Sequence, residues 1–162
     1  MKTPHEDNFF IIQHNKFMKE ALKEARKAYE KKEVPIGAVI VKDGKIISRG
    51  HNLRETKQDA TLHAEMVAIV KACKKIGSWR LNGCDMYVTL EPCCMCAGAI
   101  ISSRIDRVFV GALDTKSGAA GSVVNVFDIK QLNHKVEVHI GILEEDCKAI
   151  MKSFFKQLRN GF

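Results

Sequence analysis

The stretch MYVTLEPCCMCAGAIIS, residues 86–102, joins a short apolar run to a helical pattern through Pro92. Residues 86–90 have the length and apolar character of a buried strand. Residues 93–102 predict a helix, because Pro92 suits its first turn, where the missing N–H would be unpaired in any case. A strand followed directly by a helix is the repeating unit of an α/β protein.

The same alternation continues on both sides of this stretch. Asp43-Gly44 between two apolar runs is a strong hairpin signal, and Thr61 is a suitable cap for a following helix. The remaining predicted elements are a helix at 15–32, strands at 36–41 and 45–49, a helix at 62–76, strands at 108–110 and 136–140, and a helix at 144–159. We therefore predict an α/β fold, a three-layer α/β/α sandwich around a mixed five-stranded sheet, whose opening hairpin is antiparallel.

Length and composition indicate one domain spanning residues 1–162. Hydrophobic residues make up 46% of the chain and charged residues 28%, and we find no internal repeat or linker. No apolar run approaches the roughly 20 residues that a membrane helix needs. Residues 1–8 are polar and no signal-peptide core follows them, so we expect a cytoplasmic protein.

Half of the six cysteines crowd into one short segment, as Cys93, Cys94 and Cys96. Metal binding or redox chemistry explains that spacing better than disulfide bonds do. The other three cysteines are expected to be reduced and mostly buried: Cys73, Cys84 and Cys147.

A net charge of +7 and a pI near 9.1 permit a polyanionic partner. Lys148, Lys152 and Lys156 recur every four residues and therefore line one side of the predicted last helix. This stripe fits a solvated helix face as well as a nucleic-acid contact. Charge alone leaves both interpretations open.

Two motifs at predicted helix N-termini, His63-x-Glu65 and Cys93-x-x-Cys96, contain the candidate metal ligands and the candidate catalytic residue. Cys93 and Cys96 lie on one helix face, where the helix dipole favours thiolates, and His63 can supply a third metal ligand. Three protein ligands leave a tetrahedral zinc one position for water, whose pKa the ion lowers to near 7. Glu65 is then placed to move protons, provided that it shares the first helical turn with His63.

Neither motif is specific when it stands alone. A single histidine is usually a packing or surface residue, and Cys93-x-x-Cys96 fits a redox pair or half of a zinc ribbon. A structural zinc needs a fourth ligand; Cys94 points about 100° away from Cys93 around the helix, whereas Cys84 stays open. The combination of H-x-E with P-C-x-x-C is the signature of zinc nucleobase deaminases.

The chain resembles the bacterial tRNA-specific adenosine deaminases, which convert the wobble adenosine of the anticodon loop to inosine. The similarity runs from about residue 17 to residue 159 and includes these stretches: 33–39, 87–92, 97–100, 114–122, Asn133-His134 and Phe154-Phe155. The resemblance implies a cytidine deaminase-like fold, one Zn²⁺ per subunit, a homodimer, and an anticodon stem-loop of tRNA as the substrate.

The resemblance also assigns substrate contacts. It implies that Asn52 contacts the flipped base, that Asp114 and Lys116 lie near the neighbouring nucleotides, and that Phe155 packs against the RNA. Without it, each residue has a modest structural role. Asn52 can stabilise a turn, the stretch at 118–122 can be a flexible loop, and the two phenylalanines can be core and dimer contacts.

The chain also departs from the family pattern. His51 replaces an aromatic residue, Ala60 and Leu62 replace a proline and an alanine, and residues 1–14 form an N-terminal extension. The zinc motifs themselves are shared with other deaminases. A small-molecule deaminase acting on cytidine, deoxycytidylate or guanine, and a non-catalytic zinc or RNA-binding module, therefore remain alternatives.

Overall fold

The structure, a computed structural model, describes residues 4–162, with side chains from residue 8 onward. Its elements in chain order are α1 (Pro4–Glu30), β1 (Gly37–Lys42), β2 (Lys45–His51), α2 (Arg54–Lys57), α3 (Ala64–Ile76), β3 (Cys84–Leu90), α4 (Cys94–Ser102), β4 (Arg107–Ala112), a 3₁₀ turn (Val126–Asp128), β5 (Glu137–Ile140) and α5 (Glu144–Asn160). No helix among these residues is long and apolar enough to cross a membrane.

The five strands form one mixed sheet in the order β2-β1-β3-β4-β5. β1 pairs antiparallel with both β2 and β3, whereas β3, β4 and β5 are parallel. The hairpin turn has Asp43 at φ 49° and Gly44 at φ 71°, which is the left-handed pair that a tight two-residue hairpin requires. The predicted mixed sheet and its antiparallel hairpin are confirmed.

Helices cover both faces of the sheet. On one face Phe17 and Met18 of α1 and Cys147 of α5 pack against Tyr87 and Phe109. The other face carries α3 and α4, whose buried residues join the alternate side chains of the strands in a second cluster. The predicted three-layer α/β/α arrangement is confirmed.

Two glycines let the helices approach the hairpin closely. A Cβ at Gly37 would overlap the backbone of α1, and a Cβ at Gly50 would overlap the backbone of α3. The two glycines belong to adjacent cross-strand pairs, because Gly37 pairs with His51 and Ala38 pairs with Gly50. Adjacent pairs point to opposite faces of the sheet. α1 and α3 therefore rest on opposite faces of the same end of the hairpin.

Several predicted boundaries were wrong. α1 begins at Pro4 instead of residue 15, because Phe10 and His14 continue the packing on Phe109 and because the His14 ring lies 2.7 Å from the Tyr87 hydroxyl. Residues 4–14 of the expected extension therefore belong to the helix, and residues 1–3 lie outside the described part of the chain. The four-residue helix α2 was not predicted, because its sequence has no apolar periodicity.

The two helices that carry the motifs begin later than predicted. α3 starts at Ala64 with His63 at the N-cap, and the Thr61 hydroxyl instead donates to Asp59. α4 starts at Cys94 with Cys93 at the N-cap, so Pro92 precedes the first turn. Both differences place the metal-binding side chains at the helix ends.

Gly50→Ala should destabilise the protein by roughly 1–3 kcal/mol, because the added methyl group forces α3 away from β2. Urea unfolding followed by circular dichroism measures this change. Lys45→Ala, at the exposed start of the same strand, is the control and should change stability by less than about 0.5 kcal/mol. Equal stability of the two variants would contradict the close helix–strand packing.

Candidate metal centre and substrate pocket

The N-termini of α3 and α4 bring the predicted ligands together. His63 and Cys93 are the N-cap residues, both have extended backbone, and neither side chain caps its own helix. Their side chains are therefore free to point past the helix ends. The Nδ1 atom of His63 lies 3.7 Å from Sγ of Cys93 and 3.6 Å from Sγ of Cys96.

These three residues fit a zinc ion. Their ligand atoms all lie within 4.8 Å of one another. With Zn–N and Zn–S bonds of roughly 2.0 and 2.3 Å, a tetrahedral site separates nitrogen and sulfur ligands by about 3.6 Å. The observed nitrogen–sulfur distances match this separation, so the cluster can bind a metal in the manner of zinc deaminases.

The two other cysteines considered as ligands lie elsewhere. Cys94 is exposed, and Cys84 is at the far end of β3 from the cluster. In the part of the chain that the structure describes, the cluster consists of one histidine and two cysteines. The alternative of Cys84 as a fourth ligand therefore finds no support.

The two thiols share one proton between them. The hydrogen bond from Cys96, followed by that from His63, lowers the pKa of Cys93 to about 3. The same bond to Cys93, together with burial, raises the pKa of Cys96. Cys93 is therefore the more readily ionised of the two thiols, and a bound cation would favour the thiolate form of both.

Glu65 lies beside the cluster in an unusual environment for a carboxylate. Its side chain is 3% exposed, and its Oε2 atom has no hydrogen-bond partner among the described residues. Burial raises the pKa of Glu65 to about 7. A carboxyl group with such a pKa can both accept and release a proton at neutral pH.

A pocket of about 480 Å³ opens onto this site. It is lined by the metal ligands His63 and Cys93, by Glu65, and by all four residues predicted to contact substrate: Asn52, Asp114, Lys116 and Phe155. The structure therefore brings the predicted catalytic and substrate residues into one cavity, with Cys96 buried behind it.

Asn52 also stabilises a turn, which is the structural role that its sequence position suggested. Its Oδ1 accepts from the Arg54 N–H at 3.2 Å, and its Nδ2 donates to the Val34 carbonyl at 3.4 Å. An amide side chain has two donor hydrogens and two acceptor lone pairs. One donor and one acceptor position therefore remain for a ligand in the pocket.

The carboxylate of Asp114 organises its own loop. Its Oδ1 accepts from the N–H groups of Lys116 at 2.9 Å and Ser117 at 3.3 Å, and its Oδ2 accepts from the Ser117 hydroxyl at 2.6 Å. These bonds hold the backbone of Lys116 at the pocket while its ammonium group stays exposed. Phe155 is 39% exposed at the same pocket.

Sequence reasoning missed part of the pocket wall. Arg54 lines it from α2, which is held in place by the buried carboxylate of Glu33. That carboxylate accepts from the N–H of Glu55 at 3.2 Å and from the N–H of Thr56 at 2.5 Å. The other missed lining residues include Glu91 and Met151, and Lys148 of the predicted lysine stripe also lines the pocket.

Glu91 is a second buried carboxylate that sequence reasoning missed. Burial alone would raise its pKa, but hydrogen bonds from Ser122 and from the N–H groups of Asp114 and Ala120 outweigh that effect and lower it. Glu91 is therefore an ionised, fully hydrogen-bonded group. Its position directly before Pro92 gave no signal for this role.

The mixed sheet, the His/Cys/Cys cluster and the buried glutamate define a metal-dependent deaminase, and a sequence model of the MafB19-like deaminases matches residues 12–159. The chain is 54% identical over 149 residues to the tRNA-specific adenosine deaminase of Bacillus subtilis (strain 168), covering 92% of each protein. The chain belongs to the tRNA-specific adenosine deaminases, within the MafB19-like deaminase family.

Solved structures agree with this assignment. A structure from studies of A-to-I editing by tRNA:A34 deaminases at the wobble position is 48% identical, with a TM-score of 0.80 over 83% of this chain and 97% of that one. The guanine deaminase of Bacillus subtilis is 36% identical, with a TM-score of 0.61 over 92% of this chain and 95% of that one. The predicted deaminase fold is confirmed.

His63→Ala should lower zinc affinity by more than about 100-fold, because it removes one of three protein ligands. Elemental analysis of the purified protein after dialysis against a weak chelator measures the metal per chain. Cys94→Ala is the matched control, since it removes an exposed cysteine of the same segment. Stoichiometric zinc in the His63 variant would count against the ligand assignment.

Proposed function

We propose that this protein hydrolyses the 6-amino group of adenosine 34 in the anticodon loop of tRNA, giving inosine and ammonia. One observation carries the proposal: Glu65, whose buried Oε2 has no hydrogen-bond partner in the described part of the chain, lines the same pocket as the candidate metal ligands and the expected substrate contacts. The choice of adenosine as the target base and of tRNA as the substrate follows from membership of the tRNA-specific adenosine deaminases.

The cofactor in this proposal is one Zn²⁺ per subunit, held by Nδ1 of His63 and the Sγ atoms of Cys93 and Cys96. Zinc at such a site acts as a Lewis acid that makes hydroxide available at neutral pH. Three protein ligands would leave such a zinc ion able to accept one further ligand, as catalytic zinc sites do. Glu65 is the group that handles the protons.

Glu65 acts first as a base and then as an acid. It takes a proton from the attacking water and delivers that proton to N1 of adenine, which prepares C6 for attack. After hydroxide has added to C6, Glu65 takes the proton of the new hydroxyl group and passes it to the amino group. The C6–N bond then breaks, ammonia leaves, and the C6 carbonyl of inosine forms. Burial raises the pKa of Glu65, which helps this carboxyl group to hold a proton between the two steps.

The other pocket residues hold the flipped nucleotide. Asn52 uses its spare amide donor and acceptor on the base edge, and Phe155 packs against the RNA. Lys116 and Asp114 lie beside the neighbouring nucleotides. Anticodon-loop nucleotides are already partly unpaired, so unstacking the target costs only a few kcal/mol.

Three cations around the pocket suit a phosphate backbone. Arg54, Lys116 and Lys148 all line it, and the whole chain carries a net charge of +7. A free nucleobase has no phosphate for these groups to contact. This arrangement favours RNA over the alternative of a base such as guanine.

We also propose a cytoplasmic homodimer. None of the six cysteines forms a disulfide bond in the structure, which fits a reducing compartment, and the tRNA substrate is found there. Val70 of α3 and Trp79 after it are each about half exposed, and such apolar side chains suit a subunit interface. Light scattering coupled to size-exclusion chromatography measures the mass directly.

The proposed substrate is tested by offering RNA and free compounds side by side. A transcribed anticodon stem-loop with A34 should be converted to inosine, whereas free adenosine, cytidine and guanine should react slowly or not at all. A stem-loop with G34 is the matched negative substrate. Turnover of a free compound with no reaction on RNA would favour the small-molecule alternative.

Glu65→Gln should lower kcat on the A34 stem-loop by about a thousandfold or more, because the amide cannot shuttle protons. Zinc content and RNA binding should stay near wild type, since Gln keeps the size of the side chain. Inosine formation and metal content are measured on the same preparation. Activity at the wild-type rate would support a non-catalytic role for the site.

Lys116→Ala should weaken stem-loop binding and reduce the slope of log K against log[salt] by about one, because it removes one phosphate contact. Filter binding at several salt concentrations measures the slope. Lys45→Ala is the control, since this lysine lies at the hairpin turn, at the other end of β2 from the pocket. An unchanged slope for Lys116→Ala would remove this residue from the RNA contact.

A further inference from the structure

The carboxylate of Glu91 connects the cysteine segment to the loop at residues 114–122. Its side chain is buried, and each oxygen accepts two hydrogen bonds from that loop. Oε2 accepts from the Asp114 N–H at 2.9 Å and from the Ser122 hydroxyl. Oε1 accepts from the N–H groups of Ala120 at 2.9 Å and Ser122 at 3.0 Å. Only an ionised carboxylate can accept at both oxygens in this way.

The backbone strengthens the same connection. The Ala119 N–H of the loop donates to the Pro92 carbonyl at 2.8 Å, and the Glu91 N–H donates at 2.8 Å to the carbonyl of Ala112, the last residue of β4 before the loop. The loop is therefore tied to the two residues that directly precede Cys93.

Gly118 shows how tightly the loop is placed. A Cβ at this position would overlap the carboxylate of Glu91 and the carbonyl oxygen of Asp114. The loop backbone therefore passes directly over the carboxylate. Close approach, and not an unusual backbone angle, requires glycine here.

We infer that Glu91 is the positioning residue that fixes the loop at 114–122 against the cysteine segment. Asp114 and Lys116 of this loop line the substrate pocket, so Glu91 sets their distance from the metal ligands. The substrate consequence rests on the proposed function, because it requires that these two residues meet RNA. The fixing of the loop does not depend on any substrate.

Glu91→Gln is the informative variant, because all four partners are donors. The amide nitrogen must replace one of the two oxygens, and it then faces donor groups. If the nitrogen replaces Oε2, the Ser122 hydroxyl can turn and accept from it, but the Asp114 N–H loses its acceptor. If the nitrogen replaces Oε1, the N–H groups of Ala120 and Ser122 both lose their acceptor. The variant therefore loosens the loop without changing the size of the side chain.

Amide hydrogen exchange tests the positioning role without substrate. In zinc-loaded Glu91→Gln, the amides of Asp114, Ala120 and Ser122 should exchange at least about tenfold faster, while the amides of α4 keep their protection. Zinc content should stay at the wild-type level. The matched control is Glu33→Gln, which alters a buried carboxylate on the other pocket wall and should speed exchange only in α2.

Steady-state kinetics on the A34 stem-loop test the consequence for substrate. In Glu91→Gln, kcat/KM should fall roughly 10- to 100-fold, mostly through a higher KM, because the loop holds substrate while the proton shuttle is untouched. Glu91→Asp keeps the charge and should recover part of the loss. If Glu91→Gln does not fold, Ser122→Ala removes a single hydrogen bond and should raise KM and loop exchange by a smaller factor.

Two results would overturn the inference. The first is unchanged loop exchange and unchanged KM in Glu91→Gln. The second is loss of zinc together with activity in this variant, which would show that Glu91 supports the cysteine segment and does not position the loop. If the wild-type protein leaves the stem-loop unreacted, the proposed function fails, and the exchange experiment still decides the positioning role.

Discussion

The convergence of two helix N-termini at one end of the sheet is the constraint on which the site depends. The carboxyl ends of β3 and β4 lie at that end, where ligand sites of open α/β sheets form, and β2 ends there too. His63 and Cys93 occupy the N-cap positions without capping their own helices. The side chains that would normally satisfy backbone N–H groups are instead available to a metal ion.

Three buried carboxylates lie around the pocket, and they differ in whether their oxygens are hydrogen-bonded. Glu33 and Glu91 each accept backbone N–H groups and so fix the α2 segment and the 114–122 loop. Glu65 has an oxygen with no partner among the described residues, which leaves a desolvated group that is costly to the fold. The two hydrogen-bonded carboxylates hold the pocket walls in place, and the third, Glu65, is the one to which we assign proton transfer in the proposed function.

Much of the fold could be predicted from the sequence, because its signals are local. The Asp43-Gly44 turn, the apolar strands and the spacing of Cys93 and Cys96 depend on neighbouring residues, and the mixed sheet follows from their order. The start of α1 and the role of Glu91 were missed because both depend on distant partners. His14 packs on Phe109, which lies more than half the chain away, and Glu91 binds a loop beyond β4.

The substrate residues form an intermediate case. Asn52, Asp114, Lys116 and Phe155 were assigned through resemblance, and the structure places them in one pocket with Glu65. Local geometry alone would have explained Asn52 and Asp114 by the turns that they stabilise. Their common position at the pocket becomes visible only in the folded chain, because they are distant in the sequence.

The central claim is a metal held by three protein ligands with one position left for the reacting water. Zinc K-edge X-ray absorption on the purified protein measures this coordination directly. The predicted result is two sulfur atoms at about 2.3 Å with two nitrogen or oxygen atoms at about 2.0 Å. Three or four sulfur ligands, or a site without bound zinc, would contradict it.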